Sequence, residues 1–342
     1  MNDELHETAR SLVRAGKGIL AADESDGTIK KRFDTIGTES TEEQRRAYRE
    51  LLFTAAGVEQ FISGVILFDE TIRQSGSDGT PFPRLLAAKG IIPGIKVDTG
   101  AKALALAEGE TVTEGLDGLR ARLEEYRGLG ARFAKWRATY SIGGGRPSEY
   151  CVWVNAHALA RYAALAQEAG LVPIVEPEVL MDGTHTIEES ATATGRALQA
   201  VYTELHDQRV DLAGTLLKPN MVLSGYDASS RAAPGDVAEH TLACFYRHVP
   251  AAVPGIVFLS GGQTDEDATI HLNAMNERGP HPWQLSFSYG RALQAPALKA
   301  WRGKTENAEA AQRALHHRAR MNSVARDGSY TPELEGASAV SG

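Results

Sequence analysis

A short apolar run, Gly214-Thr215-Leu216-Leu217-Lys218-Pro219-Asn220-Met221-Val222, ends in a lysine followed at once by a proline. Leu216 and Leu217 read as a strand buried on both faces. Pro219 has no N–H to give to a sheet ladder, so the strand stops there and Lys218 stands at its C-terminal end. An ammonium is costly to bury as a charge, so a lysine held against apolar walls tends to release its proton. The neutral amine can attack a ketone and form a Schiff base. The other reading of such a lysine is a stem packed along the strand with its head in water. Its neighbours decide between the two.

Other apolar runs also close on groups that can do chemistry. Ile19-Leu20-Ala21-Ala22 ends in Asp23-Glu24-Ser25, Ile95-Lys96-Val97-Asp98 offers Lys96, and Phe133-Ala134-Lys135-Trp136-Arg137 offers Lys135 and Arg137. Val172-Pro173-Ile174-Val175 leads into Glu176-Pro177-Glu178, two carboxylates on one face of a strand. The last two runs reach Ser260-Gly261-Gly262 and Ser286-Phe287-Ser288-Tyr289-Gly290-Arg291. Lys218 is the candidate nucleophile, and a second cation such as Lys135 would disfavour its protonation. Glu176 and Glu178 are acid–base candidates, since crowded carboxylates shift one another and a carbinolamine oxygen needs a proton to leave. Asp23 is suited to hold or deprotonate a substrate hydroxyl. Glu178 and Arg137 could also form an ion pair that is only structural.

Two regions suit anions. Ser260, Gly261 and Gly262 with Ser288, Gly290 and Arg291 bring backbone N–H groups, hydroxyls and a guanidinium to the ends of two successive strands, where barrels often hold phosphate. Lys96 with Arg32, Ser25 and Thr28 forms a second basic group on the opposite side, which points to a bisphosphate.

To bring these residues together the chain needs a particular scaffold. Short apolar runs start near Lys17, Ser63, Ile92, Phe133, Leu171, Gly214, Gly255 and Gln284, spaced 29 to 46 residues apart. Helix-length amphipathic segments fill most gaps. Thr41 caps the one that runs through Leu51 and Leu52, and Leu116, Leu119, Leu123 and Tyr126 mark another, as do Leu198, Val201, Tyr202 and Leu205. Eight strands alternating with helices predict an α/β protein with a closed (β/α)8 TIM barrel, its active site at the C-terminal strand ends. One catalytic domain over residues 1–342 is expected. The segments Ser141–Glu149 and Ser224–Asp236 could be mobile rims. A helix-rich stretch, Arg291 to Ala325, follows the eighth strand, and a flexible tail is expected from about residue 333 to residue 342.

Composition narrows the function. With 42% hydrophobic and 23% charged residues the chain reads as a soluble globule. No apolar run approaches the length a bilayer needs, and the acidic amino end is unlike a secretory signal, so a cytoplasmic location is the default. The formal charge of −8 argues against nucleic acid or an anionic membrane as partner. Cys151 and Cys244 are far apart and have no metal-type spacing, and no metal site is expected.

Taken together, the runs Gly16–Ser25, Gly94–Asp98, Phe133–Arg137, Ile174–Glu178, Gly214–Met221, Phe258–Gln263 and Phe287–Gln294 resemble the class I, Schiff-base type of fructose-bisphosphate aldolase over roughly Leu12 to Pro332. The resemblance implies reversible cleavage of fructose 1,6-bisphosphate to dihydroxyacetone phosphate and glyceraldehyde 3-phosphate in glycolysis and gluconeogenesis. It implies Lys218 as the Schiff-base lysine and Glu176 as acid and then base, with Asp23 assisting and Lys135 and Glu178 tuning charge. Arg291, Ser260, Gly261 and Gly262 would hold the phosphate beside the ketone, and Ser25, Thr28, Arg32 and Lys96 the distal one. A homotetramer with no metal or other cofactor is implied. Many members end in a tyrosine that serves proton exchange, whereas no aromatic follows Tyr330 here, so slower release of dihydroxyacetone phosphate or a substitute proton donor is expected. Transaldolase-like and other Schiff-base barrels need one phosphate grip rather than two. A sugar-phosphate-binding scaffold without turnover would lack the nucleophile or the acid.

Overall fold

The computed structural model describes residues 2–336. Its barrel strands are β1 (Gly18–Ala22), β2 (Ile62–Leu67), β3 (Ile92–Lys96), β4 (Phe133–Tyr140), β5 (Val172–Val179), β6 (Leu216–Leu217), β7 (Gly255–Phe258) and β8 (Gln284–Tyr289). Every apolar run expected to be a strand is one, each starting within two residues of its expected place. They close in the order β1-β8-β7-β6-β5-β4-β3-β2, and every neighbouring pair is parallel.

Strand alternation sorts the side chains into two apolar cores. Ile19, Ala21, Ile66, Phe133, Val172, Ile174, Leu216 and Val257 fill the barrel interior. Leu20, Ala22, Val65, Leu67, Ala134, Trp136, Val175, Leu217 and Phe258 face outward into the larger core beneath the helices. The inner core is closed from below by Leu5, Ala9, Leu12 and Val13 of the helix Asn2–Leu12 and the turn after it. That amino-terminal plug was not evident from the sequence. Its fit depends on missing side chains: a Cβ on Gly255 would meet Val13 at 2.6 Å, and one on Gly94 would enter the Phe133 ring at 2.3 Å. Phe133 is wholly buried, and a side chain of that size contributes about 2–3 kcal/mol through burial.

The same alternation lifts the chemistry above the core. Continuing the inward faces one step past Ala21, Phe133, Ile174 and Leu216 gives Asp23, Lys135, Glu176 and Lys218. Hydrophobic rungs thus form the floor on which the polar rung rests.

The expected helices are present as Glu42–Thr54 with Thr41 capping it, Leu119–Gly128, Ile187–Asp207, Arg291–Trp301 and Ala308–Arg326. Leu116 lies before its helix rather than in it. An antiparallel hairpin, Gly100–Ala103 with Thr111–Glu114, stands outside the barrel after β3 and was not expected. The first part of the Ser224–Asp236 segment is zipped to the loop after β5: Gly225, Tyr226 and Asp227 N–H groups donate to the carbonyls of His185, Met181 and Gly183. The stretch expected to be a loose tail begins as a short helix, Glu333–Gly336, in which Glu335 pairs with His317 and Arg318. The rest of that tail lies outside the described residues.

Candidate active site

At the C-terminal mouth of the barrel is a cavity of about 590 Å³ lined by Asp23, Lys96, Lys135, Glu176 and Lys218 on its floor and by basic and small residues on its rim. Lys218 remains in the ladder, its N–H donating to Val175 O at 2.8 Å before Pro219 ends the strand. Lys218 Nζ is 3.3 Å from Glu176 Oε1, and Lys135 Nζ is 3.3 Å from Glu176 Oε2. One carboxylate therefore joins two lysines. Lys135 also reaches Asp23 Oδ2 at 2.8 Å and Asp98 Oδ2 at 3.9 Å, and Asp98 Oδ1 holds Lys96 at 2.9 Å.

Three ammonium groups and three carboxylates thus alternate across the floor. For Lys135 burial favours the neutral amine, but Asp23, Glu176 and Asp98 overcome it and hold its pKa above the usual lysine range. For Asp23 burial disfavours the charge, yet Lys135 and Lys218 beside it hold the carboxyl well below the usual range. Lys135 is thus a permanent cation and Asp23 a permanent anion at neutral pH.

Two sequence expectations are corrected here. Lys218 was expected to lie against apolar walls that strip its proton, but its amine faces a carboxylate acceptor, so the proton has a place to go. Glu176 and Glu178 were expected to perturb each other as a crowded pair. Each instead has its own cation: Glu176 the two lysines, and Glu178 the Arg137 guanidinium, whose Nε donates to Glu178 Oε2. Glu178 and Arg137 still border the cavity.

On one rim, Ser260, Gly261, Ser288, Gly290 and Arg291 come together as expected. Gly261 has φ +57°, a left-handed conformation natural to glycine that turns the loop. Ser288 Oγ is buried with no partner among the described residues, and Gly290 sits at the start of the eleven-residue helix Arg291–Trp301. Gly262 departs from the set. Its N–H donates to Tyr226 Oη at 2.9 Å, and it lines a neighbouring cavity behind the loop.

On the other rim, Ser25 precedes the helix Asp26–Asp34, caps nothing with its side chain, and lies 3.2 Å from Thr28 Oγ1. Lys96 rises from β3 nearby. Arg32, expected with them, leans toward the opposite rim: Glu24 grips its Nη1, and its Nη2 lies 3.5 Å from where a Cβ on Gly290 would stand. Glu24 is the reason. Buried, it also takes Arg49 at 2.7 Å and Gln294 Nε2 at 2.8 Å, tying β1 to helices on both sides.

Sequence reasoning gave no role to Glu24, Lys31, Thr35 and Lys299, which line this cavity, or to Asp98, which pairs with Lys96 and Lys135. Asp98 follows Lys96 by two positions and so shares its face, a signal present in the strand pattern. Thr28, Lys31, Arg32 and Thr35 recur at the spacing of one helix face, which marks Lys31 and Thr35 once the helix is placed. Nothing in the local sequence marks Lys299.

The family model for "Fructose-bisphosphate aldolase class-I" matches residues 4–341. The chain is 57% identical over 329 residues to "Probable fructose-bisphosphate aldolase class 1" of Xylella fastidiosa strain Temecula1, covering 96% of this chain and 98% of the relative. It is 56% identical to "Fructose-bisphosphate aldolase 5, cytosolic" of Arabidopsis thaliana, covering 99% and 95%. A solved structure of fructose-bisphosphate aldolase from Plasmodium falciparum, in complex with TRAP and a small molecule inhibitor, superposes with a TM-score of 0.95 at 51% identity. The match covers 96% of this chain and 95% of that one.

Proposed function

The chain belongs to the class I fructose-bisphosphate aldolases, and from that premise we propose that Lys218 is the residue that forms the Schiff base with the ketose. It is a lyase, cleaving fructose 1,6-bisphosphate reversibly to dihydroxyacetone phosphate and glyceraldehyde 3-phosphate in glycolysis and gluconeogenesis. The observation that carries the assignment is the Lys218–Glu176–Lys135 arrangement, in which one carboxylate lies 3.3 Å from each ammonium.

Glu176 takes the proton from Lys218, which frees the nitrogen lone pair for attack on the ketone carbon. The carbinolamine oxygen then receives that proton and leaves as water, giving the iminium. With the carboxylate restored, Glu176 removes the proton of the hydroxyl on the carbon that becomes the aldehyde, and Asp23 orients that hydroxyl. The carbon–carbon bond breaks, its electron pair forming the enamine carbon–carbon double bond while the iminium π pair moves onto nitrogen. The proton that Glu176 took from the hydroxyl then passes to the enamine carbon, restoring the carboxylate and the iminium, and attack of water on the iminium releases dihydroxyacetone phosphate and frees Lys218. Lys135 stays charged throughout and steadies the carboxylates as the proton moves. Glu178 holds Arg137 at the rim.

Ser260, Gly261, Ser288, Gly290 and Arg291 hold the phosphate beside the ketone, supported by the unpartnered Ser288 hydroxyl and the helix start at Gly290. Ser25, Thr28 and Lys96 take the distal phosphate. Arg32 stands between the two grips and can serve either. We also assign a cytoplasmic homotetramer. The cytosolic relative and two free thiols fit a reducing compartment. Leu106, Tyr150, Trp153 and Tyr246 stand exposed on the single chain, apolar surface that association would cover.

The test is the cleavage assay on purified protein with fructose 1,6-bisphosphate, with and without EDTA. Activity that survives EDTA and vanishes in Lys218→Met is expected. Retained turnover in that variant would overturn the assignment.

A further inference from the structure

Tyr226 lies outside the cavity, behind the loop that carries Ser260 and Gly261. Its hydroxyl accepts the Gly262 N–H at 2.9 Å and lies 3.3 Å from Met181 Sδ, to which it donates. The contact is close. A Cβ on Gly262 would fall 2.6 Å from the Tyr226 ring, and one on Gly261 would fall 2.0 Å from Met181 Cε. Glycines at both positions let the ring and the thioether press on the back of the turn.

Tyr226 is itself held from several directions. Its N–H donates to Met181 O at 2.9 Å, and the flanking Gly225 and Asp227 N–H groups donate to His185 O at 2.8 Å and Gly183 O at 2.9 Å. Arg231 Nη2 donates to Tyr226 O at 3.0 Å, and its guanidinium lies 5.2 Å from the ring centroid. The loops after β5 and β6 thus form a rigid block against which the loop after β7 leans. Burial pushes the Tyr226 hydroxyl up to about 12, so it stays protonated at neutral pH.

Resting on the reading that Ser260 and Gly261 grip the phosphate beside the ketone, we infer that Tyr226 is a positioning residue for that grip. By taking the Gly262 N–H it fixes the turn at Gly261, so that hydroxyl and amide already face the phosphate. A grip that must first be ordered binds more weakly, and the loss appears in the half-substrate that uses it. The distal phosphate, held across the cavity, is unaffected.

The test is Tyr226→Phe, which deletes the hydroxyl and keeps the ring, assayed in the condensation direction beside Ser260→Ala. One lost hydrogen bond predicts a KM for dihydroxyacetone phosphate raised about three- to tenfold. The KM for glyceraldehyde 3-phosphate and kcat are expected to stay within about twofold of the parent. The inference is overturned if Ser260→Ala raises the first KM and Tyr226→Phe does not; the phosphate reading then stands alone. If neither variant moves it, the phosphate reading itself has failed and the inference with it. Equal rises for both trioses would make Tyr226 a general structural residue, which also overturns the inference.

Discussion

Replacing Lys135 with methionine removes the cation shared by three carboxylates and leaves a side chain of similar length. Its contacts of 2.8, 3.3 and 3.9 Å with Asp23, Glu176 and Asp98 each supply about 4–6 kcal/mol of attraction at an effective dielectric constant of about 20. Desolvating the ammonium offsets much of that, and removing one partner from such a buried cluster costs about 3–5 kcal/mol. The dependence on pH is the more telling signature.

In the parent protein the folded pKa of Asp23 lies below its unfolded value, so its contribution is full above about pH 4 and is lost as pH falls through the folded value. The folded pKa of Lys135 lies above its unfolded value, so its contribution is full below about pH 10 and is lost only as pH rises through the folded value. Between those limits the contributions of Asp23 and Lys135 are flat with pH. In Lys135→Met, Glu176 keeps Lys218 and Asp98 keeps Lys96, but the buried Asp23 carboxyl loses its ion-pair partner beside two other carboxylates, and its folded pKa is expected to rise above its unfolded value. Its stabilising protonated form is lost as pH rises. The penalty is therefore expected to be about 3–5 kcal/mol at pH 8 and about 1–2 kcal/mol smaller at pH 5, read from unfolding at both values. The kcat for cleavage should fall at least about 100-fold. A penalty under about 1 kcal/mol, or one equal at both pH values, would refute the reasoning.

Glu24→Gln leaves Arg49, only 2% exposed, without its counter-ion, and its thermal midpoint is expected to fall by at least about 6 °C. An unchanged midpoint in a thermal melt would contradict a structural role for that pair. Burial pushes the Cys151 thiol up to about 11 and the Cys244 thiol up to about 12, so native protein at pH 8 should react with a disulfide reagent far more slowly than urea-unfolded protein, in which both thiols titrate at once. Rapid native modification of either would count against their burial.

The barrel was legible because each strand is short, apolar and closed by a polar residue, and because parallel strands buried on both faces leave few alternatives. Lys218, Glu176, Lys135 and Asp23 were legible for the same reason, since each continues an inward-facing apolar series by one step. The environment of each was less so. That Lys218 faces Glu176 rather than an apolar wall depends on the register between β5 and β6, where Ile174 pairs with Leu216, and register is not written in either strand alone. That Arg32 leans across the cavity, between the two rims, was not legible because its partner, Glu24, is itself fixed by Arg49 and Gln294, and such long-range contacts have no local sign. Gly262 looked like part of the phosphate loop because Ser260-Gly261-Gly262 is contiguous. Its N–H is claimed by Tyr226, 36 residues away in sequence.

The most direct measurement of the central claim is to treat the protein with borohydride in the presence of dihydroxyacetone phosphate, digest it, and locate the reduced adduct by mass spectrometry. The account predicts one stable adduct, on Lys218, with loss of activity in proportion to labelling. An adduct on Lys135, Lys96 or any other lysine, or no adduct while cleavage proceeds, would contradict it.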